Sequence, residues 1–364
     1  MALEIRLEKL RRQFGSTVAV NDISITFPSS SVTCLLGPSG CGKTTLMRMI
    51  AGLQEPTSGE IYFGDQRVTD LSPSERNIGM VFQYPVVYQG MTLFDTVELP
   101  LKGERSLSKQ DRKARVMSTL ESLDLHPLAA IPVDQLDNAT KQKAAVARAV
   151  SRQPQIILFD EPITNVDVSA KLQLKRALKG LVRQHAQTII YVTHDQTEAM
   201  TLADEIALMQ NGQIIQRGQP REIYNNPNAR FGGWFLGNPG MNFVDYPVER
   251  VDGTPILRDP LFTRPARVSG LNGDSSVVVG IRPERVPVYD DPTPNTVEAV
   301  VVRRSVVVGG QHLLTLQIGE VMVKAKVPYS QNYEPGATVY AEFPLEHVCL
   351  FSEDGTRLNT ELGA

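Results

Sequence analysis

The sequence predicts two domains, an α/β body carrying a helical insertion and, after it, a small β-barrel. Three observations carry that expectation. A short apolar run, residues 31–36, ends in a glycine-rich turn and leads into a segment of helical spacing at residues 43–51. Apolar strands return at residues 155–159 and 188–192 after a long helical stretch. From about Leu236 onward, helical periodicity gives way to short β-rich runs separated by Gly and Pro. A chain of 364 residues is long enough for each part to bury its own core.

In order, residues 18–27 alternate apolar and polar positions and read as a strand, and residues 31–36 as a second, buried one. Gly52 is placed to stop the helix that begins at Lys43, so the order is strand, loop, helix. A strand over residues 79–82 closes on Gln83. Residues 85–152 then change character, with helical patterns at 108–123 and 140–152, and read as an inserted helical subdomain. The runs at 155–159 and 188–192 are apolar enough to be covered on both faces, as parallel strands are. Residues 205–209 and 213–217 flank Asn211 and Gly212, a favoured two-residue hairpin turn. The barrel strands fall at 276–281, 297–302, 313–318 and 338–343. Residues 225–242, with repeated Asn, Gly and Pro, form the junction, which sets the domains at 1–235 and 236–364.

Composition excludes several classes. The 37 Lys and Arg against 40 Asp and Glu leave a formal charge of -3, so there is no basic excess for a polyphosphate backbone and nucleic acid is not an expected partner. Cys34, Cys41 and Cys349 are isolated and odd in number, which fits a reducing compartment. Residues 1–14 carry charges throughout and lack the apolar core of a signal peptide. No segment approaches the roughly 20 apolar residues of a membrane-spanning helix, so membrane association is expected through a partner.

Gly37, Pro38, Ser39, Gly40, Cys41, Gly42, Lys43 and Thr44 fit GxxxxGK[ST], in which glycines let backbone amides curl around phosphate oxygens at the positive end of a helix. Lys43 would reach the β and γ phosphates of a nucleotide, and Thr44, with Thr45 beside it, offers a hydroxyl to Mg²⁺; the loop alone does not separate kinases, GTPases, helicases and transport ATPases. Asp160 and Glu161 end an apolar strand, so one carboxylate can serve Mg²⁺ and the other a water at the γ phosphate. His194 ends the next apolar strand, within reach of the γ phosphate or the attacking water. Gln83 either sees Mg²⁺ and water or is an ordinary exposed glutamine.

This set resembles the nucleotide-binding subunit of an ABC transporter, with Walker A, Q-loop, Walker B, D-loop and switch histidine in order over residues 3–235. The resemblance implies a D-loop at residues 164–167 coupling two ATP sites across a dimer, and an aromatic near the N-terminus, here Phe14, stacking on adenine. Phe14 would otherwise pack under the sheet. Residues 235–243 (FLGNPGMNF), 280–286 (GIRPERV) and the run through Phe351 resemble the oligonucleotide-fold-like regulatory domain of carbohydrate-type importers, the maltose and glycerol-3-phosphate group. That implies permease subunits as partners at the cytoplasmic face of the inner membrane, a solute-binding protein indirectly, and cargo among sugars, polyols and their phosphates. Residues 84–97 correspond to the groove that receives a permease helix, with Val86, Val87, Tyr88, Met91 and Leu93 as contacts or as core of the helical subdomain.

The sequence departs from the family at its LSGGQ signature, where Leu136, Asp137, Asn138, Ala139 and Thr140 align. In the family this segment grips the γ phosphate held by the opposite subunit. Asp137 puts a carboxylate beside a triphosphate, and Asn138 and Ala139 add bulk where glycine allows approach. Asp137, Asn138 and Thr140 are also good N-cap types for the helix that follows. Complete catalytic residues beside a degenerate signature imply an asymmetric heterodimer with a second ATP-binding subunit, a homodimer being the alternative. Two other readings stay open: a subunit that holds ATP with little turnover, and a soluble ABC ATPase outside transport.

Overall fold

The computed structural model describes residues 3–86, 88–104, 106–162, 180, 187–258, 260–271, 275–307 and 309–363. The chain divides into two compact units at Arg221/Glu222.

In the first unit, β1 (Ile5–Phe14), β2 (Thr17–Phe27), β4 (Ser58–Phe63) and β5 (Gln66–Arg67) form an antiparallel sheet in the order β2-β1-β4-β5. A second sheet runs β10 (Gln213–Gly218), β9 (Glu205–Gln210), β3 (Val32–Leu36), β8 (Thr188–Thr193), β7 (Ile156–Asp160), β6 (Gly79–Val81). Its pairs are parallel except β9 with β10. Strands β3, β7 and β8 are buried at every position, as their unbroken apolar runs require. The β9–β10 hairpin turns at Asn211 and Gly212, both at positive φ (49° and 77°), the type I′ geometry that Asn-Gly favours.

Helix α1 (Lys43–Ile50) shares one core with both sheets, and its Leu46, Met47, Met49 and Ile50 are fully buried. Each such side chain contributes about 2 kcal/mol of burial energy, so the helix is held firmly beneath the glycine loop that starts it. Its C-terminal end is tied down by Arg76, 5 % exposed, whose guanidinium donates to the carbonyls of Met49 (2.7 Å), Ile50 (2.8 Å), Thr69 (2.8 Å) and Leu71 (3.0 Å).

The helical subdomain consists of α2 (Leu93–Glu98), a 3-10 turn over Leu99–Gly103, α3 (Lys109–Ser122) and α4 (Asn138–Ser151), packed on one another. A capping box of Ser108 and Asp111 starts α3. Helix α4 begins at Asn138 rather than at the expected Thr140, because Asp137 caps it. A further helix, α5 (Gln196–Leu202), follows β8.

The second unit includes α7 (Arg230–Phe235), preceded by α6 (Pro220–Asn225), which spans the division point. The boundary therefore lies before the Asn, Gly and Pro segment, not within it. Arg282 is the physical reason: 3 % exposed, it donates to the carbonyls of Tyr224 (2.6 Å), Gly233 (2.9 Å) and Leu236, and lies 4.0 Å over the Tyr224 ring. The arginine of GIRPERV thus fastens the preceding helices to the barrel.

The remaining strands form three antiparallel sheets. One joins β11 (Asn242–Pro247), β15 (Ser276–Ile281) and β21 (Cys349–Phe351). Another joins β12 (Glu249–Val251), β13 (Thr254–Leu257), β14 (Ala266–Ser269) and β22 (Glu361–Gly363). The largest runs β16 (Val288–Tyr289), β20 (Thr338–Glu342), β17 (Thr296–Val307), β18 (Gln311–Ile318), β19 (Val321–Pro328). Inward residues of all three, among them Tyr246, Leu257, Val279, Val301, Leu316 and Ala341, share one core. This is the OB-like barrel. Among the described residues no helix is long and apolar enough to cross a membrane.

Candidate functional site

Four neighbouring parallel strands carry the site at their carboxyl ends. Leu36 pairs with Thr193, Asp160 with Val192, and Val81 with Phe159, so the segments after β3, β8, β7 and β6 leave one edge of the sheet together. The glycine loop follows β3, His194 follows β8, Asp160 and Glu161 end β7, and half-buried Gln83 comes two residues after β6.

The loop is shaped by its neighbours as well as by its glycines. A Cβ on Gly37 would lie 2.3 Å from the Met209 carbonyl oxygen, and one on Gly42 would lie 2.2 Å from that of Ala19. Gly42 also sits at φ 105°, where a side chain is strained. Gly212, from the β9–β10 turn, donates its N–H to the Cys41 carbonyl at 3.0 Å and so braces the loop from outside. Gly40 has φ 81° and open space around its Cβ position, while Ser39 is exposed. Buried Lys43 donates to the carbonyls of Gly37 (2.8 Å) and Pro38 (2.9 Å) and lies 3.8 Å from Cys41 Sγ. Burial pushes the Cys41 thiol up, against the pull of Lys43, so it stays a thiol.

Thr44 donates its hydroxyl to Asp160 Oδ1 at 3.1 Å, and Thr45 is half-buried beside it. Burial raises the Asp160 carboxyl, while the Thr44 bond and Arg48 lower it. A hydroxyl and one carboxylate are a hard-oxygen set suited to Mg²⁺, which takes one or two protein oxygens and completes its shell with phosphates and water. No group of three or more His, Cys, Asp or Glu positioned for a metal occurs among the described residues.

Glu161 leaves β7 at φ 46°, a left-handed conformation that non-glycine residues adopt sparingly, with its N–H donated to the Val192 carbonyl at 3.0 Å. This turn sets the Glu161 carboxylate beside the neighbouring strand, with Oε2 3.1 Å from His194 Nδ1. The two are thus a contacting pair, which spacing alone did not reveal.

Phe14 does not pack under the sheet: it is 45 % exposed at the end of β1, with the Arg12 guanidinium 4.6 Å over its ring. In the groove segment Leu93 is fully buried, whereas Tyr84, Val86 and Tyr88 are exposed. Arg148 reaches this segment from α4, donating to the Val86 carbonyl at 3.1 Å and lying 5.4 Å over Tyr88. Val87 and residues 164–167 lie outside the described residues.

The LDNAT segment ends as helix machinery. Asp137 accepts the Thr140 N–H and the Thr140 hydroxyl, both at 2.8 Å, and these bonds hold its carboxyl below the usual range. Asn138, Ala139 and Thr140 form the first turn of α4. From the same helix, buried Gln142 donates to the Phe82 carbonyl at 3.2 Å, linking α4 to the residue before Gln83. Sequence reasoning missed Gln142, for which a lone glutamine in a helix gives no signal. It also missed Glu198, which a D-x-x-E pattern beginning at Asp195 could have flagged as a helix start.

Comparison with known proteins fits this geometry. The ABC transporter family matches residues 20–164, and the TOBE domain family matches residues 279–351. The trehalose/maltose import ATP-binding protein MalK of Thermococcus litoralis is 37 % identical, over 96 % of this chain and 97 % of its own length. The sn-glycerol-3-phosphate import ATP-binding protein UgpC of Yersinia pestis is 39 % identical over 78 % of this chain and 79 % of its own length. Among solved structures, cbiO1 of Clostridium perfringens, part of an ABC transporter complex, superimposes with a TM-score of 0.58 at 25 % identity, covering 62 % of this chain and 92 % of that one. With a P-loop site at the sheet edge of the first unit, a barrel in the second and such similarity over nearly its whole length, the chain belongs to the ATP-binding subunits of ABC importers, ATPases coupled to transport.

Proposed function

We propose that this chain hydrolyses ATP at the cytoplasmic face of the inner membrane to drive uptake of a sugar, a polyol such as glycerol, or a glycerol phosphate, as one half of an asymmetric pair of ATPases. The observation that carries the reading is the contrast between two segments of the same unit. Lys43, Thr44, Asp160, Glu161 and His194 converge at one sheet edge, while Asp137 is spent on capping α4. Relatives named as maltose, glycerol-3-phosphate and sulfoquinovosyl glycerol transport proteins support the cargo class. Permease subunits would supply the membrane path, and a solute-binding protein would deliver cargo to them.

In this reading the loop amides from Gly37 to Thr44 and the Lys43 ammonium hold the phosphates, and Phe14 flanks the adenine. Thr44 and Asp160, together with Gln83, would hold Mg²⁺, which would supply positive charge to offset that of the phosphates. Glu161 accepts a proton from the attacking water as its oxygen bonds the γ phosphorus and the bond to the β–γ bridging oxygen breaks. His194 steadies Glu161 and the γ phosphate.

Each ATP site of such a pair joins one subunit's loop and carboxylates to the other's signature. A partner with an intact signature would complete the site on this chain, and Asp137 would impair only the other. The test is ATP hydrolysis by the chain purified alone and together with a co-encoded second ATPase. Strong turnover by the chain as a homodimer refutes the asymmetry. The capping role of Asp137 also favours a second reading, a subunit that holds ATP with little turnover. Uptake unchanged by Glu161→Gln selects that reading over the motor.

A further inference from the structure

A buried carboxylate that this chemistry leaves unused is bonded to the residue before His194. Glu198, in the first turn of α5, is 3 % exposed. Its Oε2 accepts the Tyr191 hydroxyl at 3.1 Å and the Thr193 hydroxyl at 2.8 Å. Thr193 Oγ1 in turn accepts the N–H of Asp195 at 2.9 Å. Asp195 caps α5, its Oδ1 accepting the N–H groups of Thr197 (2.8 Å) and Glu198 (3.1 Å). The residues on both sides of His194 are therefore tied to one buried carboxylate.

The arrangement differs from an ordinary capping box. There, the carboxylate three residues after the cap turns back onto the cap's own N–H. Here Thr193 takes that N–H and Glu198 takes Thr193, so the ring of bonds runs from residue 193 to residue 198, two residues larger, and takes in residue 194. Burying a carboxylate is costly unless donors surround it, and without it the buried hydroxyls of Tyr191 and Thr193 would be stranded. Its position is doubly set, by the helix that carries it and by β8, which is paired on both edges with β3 and β7. His194 has no such burial of its own: its side chain is 47 % exposed, and it meets Glu161 at 3.1 Å. The ring's aim therefore depends on the backbone that bears it.

We propose that Glu198 is a positioning residue for His194, acting through Thr193 to hold the 193–195 backbone where the imidazole meets Glu161 and the γ phosphate. This rests on the role given to His194 above. Tyr191 serves as the fixed wall against which the carboxylate is set.

The test uses the full chain assembled with its permease and compares kcat, KM, ATP affinity and thermal stability for Glu198→Ala, Glu198→Gln, Thr193→Val, His194→Ala and the Glu198→Ala/His194→Ala double variant. Glu198→Ala and Thr193→Val are expected to lower kcat about 10- to 100-fold, the scale of a misplaced catalytic group, with ATP affinity kept within about twofold. Glu198→Gln retains most of kcat, because its amide oxygen has two lone pairs for the same two hydroxyls. The double variant is no slower than His194→Ala alone, as for residues acting as a unit. Full kcat in Glu198→Ala, or losses that multiply in the double variant, overturns the positioning role while the role of His194 stands. If Glu198→Ala does not fold, full kcat in Thr193→Val overturns it equally. Full kcat in His194→Ala overturns the reading of His194 and the positioning role with it.

Discussion

Asp137→Ser separates two things that one carboxylate does. As a helix cap, Asp137 accepts two hydrogen bonds from Thr140, each 2.8 Å long. Serine ranks with aspartate as an N-cap, so the start of α4 survives and stability shifts by only about 0.3 kcal/mol. What the variant loses is negative charge. In an assembled dimer, a carboxylate about 4 Å from a phosphate charge is repelled by about 4 kcal/mol at an effective dielectric near 20, and by about 1 kcal/mol in bulk water. Asp137 is exposed in this chain, so the smaller figure is the floor, and it corresponds to about fivefold in affinity. The assay is MgATP affinity and steady-state hydrolysis of the transporter purified with its partner ATPase, alongside thermal melting. Apparent affinity should rise at least about fivefold while the melting temperature moves by about 1 °C or less. Unchanged affinity would refute the claim that Asp137 faces a nucleotide. The capping role has its own signature in acid. Because hydrogen bonds lower the folded pKa of Asp137, its contribution is present above the unfolded value of about 3.9 and is lost as pH falls through the lowered one. The serine variant should lack that acid-labile increment.

Other outcomes follow from single contacts. Glu161→Gln should bind ATP normally but release phosphate about 10²- to 10⁴-fold more slowly, read by a phosphate-release assay, since the amide cannot take the water's proton. Gly42→Ala places a Cβ 2.2 Å from the Ala19 carbonyl at φ 105°, so ATP binding measured by equilibrium dialysis should be lost together with thermal stability. Arg76→Met strips four carbonyls of a charged donor, and urea unfolding should report a loss of about 3 kcal/mol, with ATP affinity falling as the end of α1 loosens.

Much of this molecule is written locally. The glycine loop, the buried strands on either side of it, the Asn211-Gly212 turn and the β-rich second half are all set by short-range chemistry: apolar periodicity, turn geometry and the backbone freedom of glycine. That is why the P-loop body, the helical insertion and the barrel are legible without coordinates. The same holds for Asp137, whose residue type suits the cap it forms. The rest depends on strand order, which local pattern does not carry. Placing β3 between β8 and β9, and β7 between β8 and β6, brings Glu161 to His194 across residues far apart in the chain. It also sets the β9–β10 turn against the glycine loop. In the second unit, Arg282 follows β15 and reaches back to helices that composition assigns to a junction. Glu198 illustrates the difference most directly. Its pattern with Asp195 reads as a simple helix start, yet the buried hydroxyls of Tyr191 and Thr193, presented by a strand, draw its carboxylate away from the cap and onto the residue before His194. Residue types decide which bonds a side chain is able to make, and the packing of strand against helix decides which of them it makes.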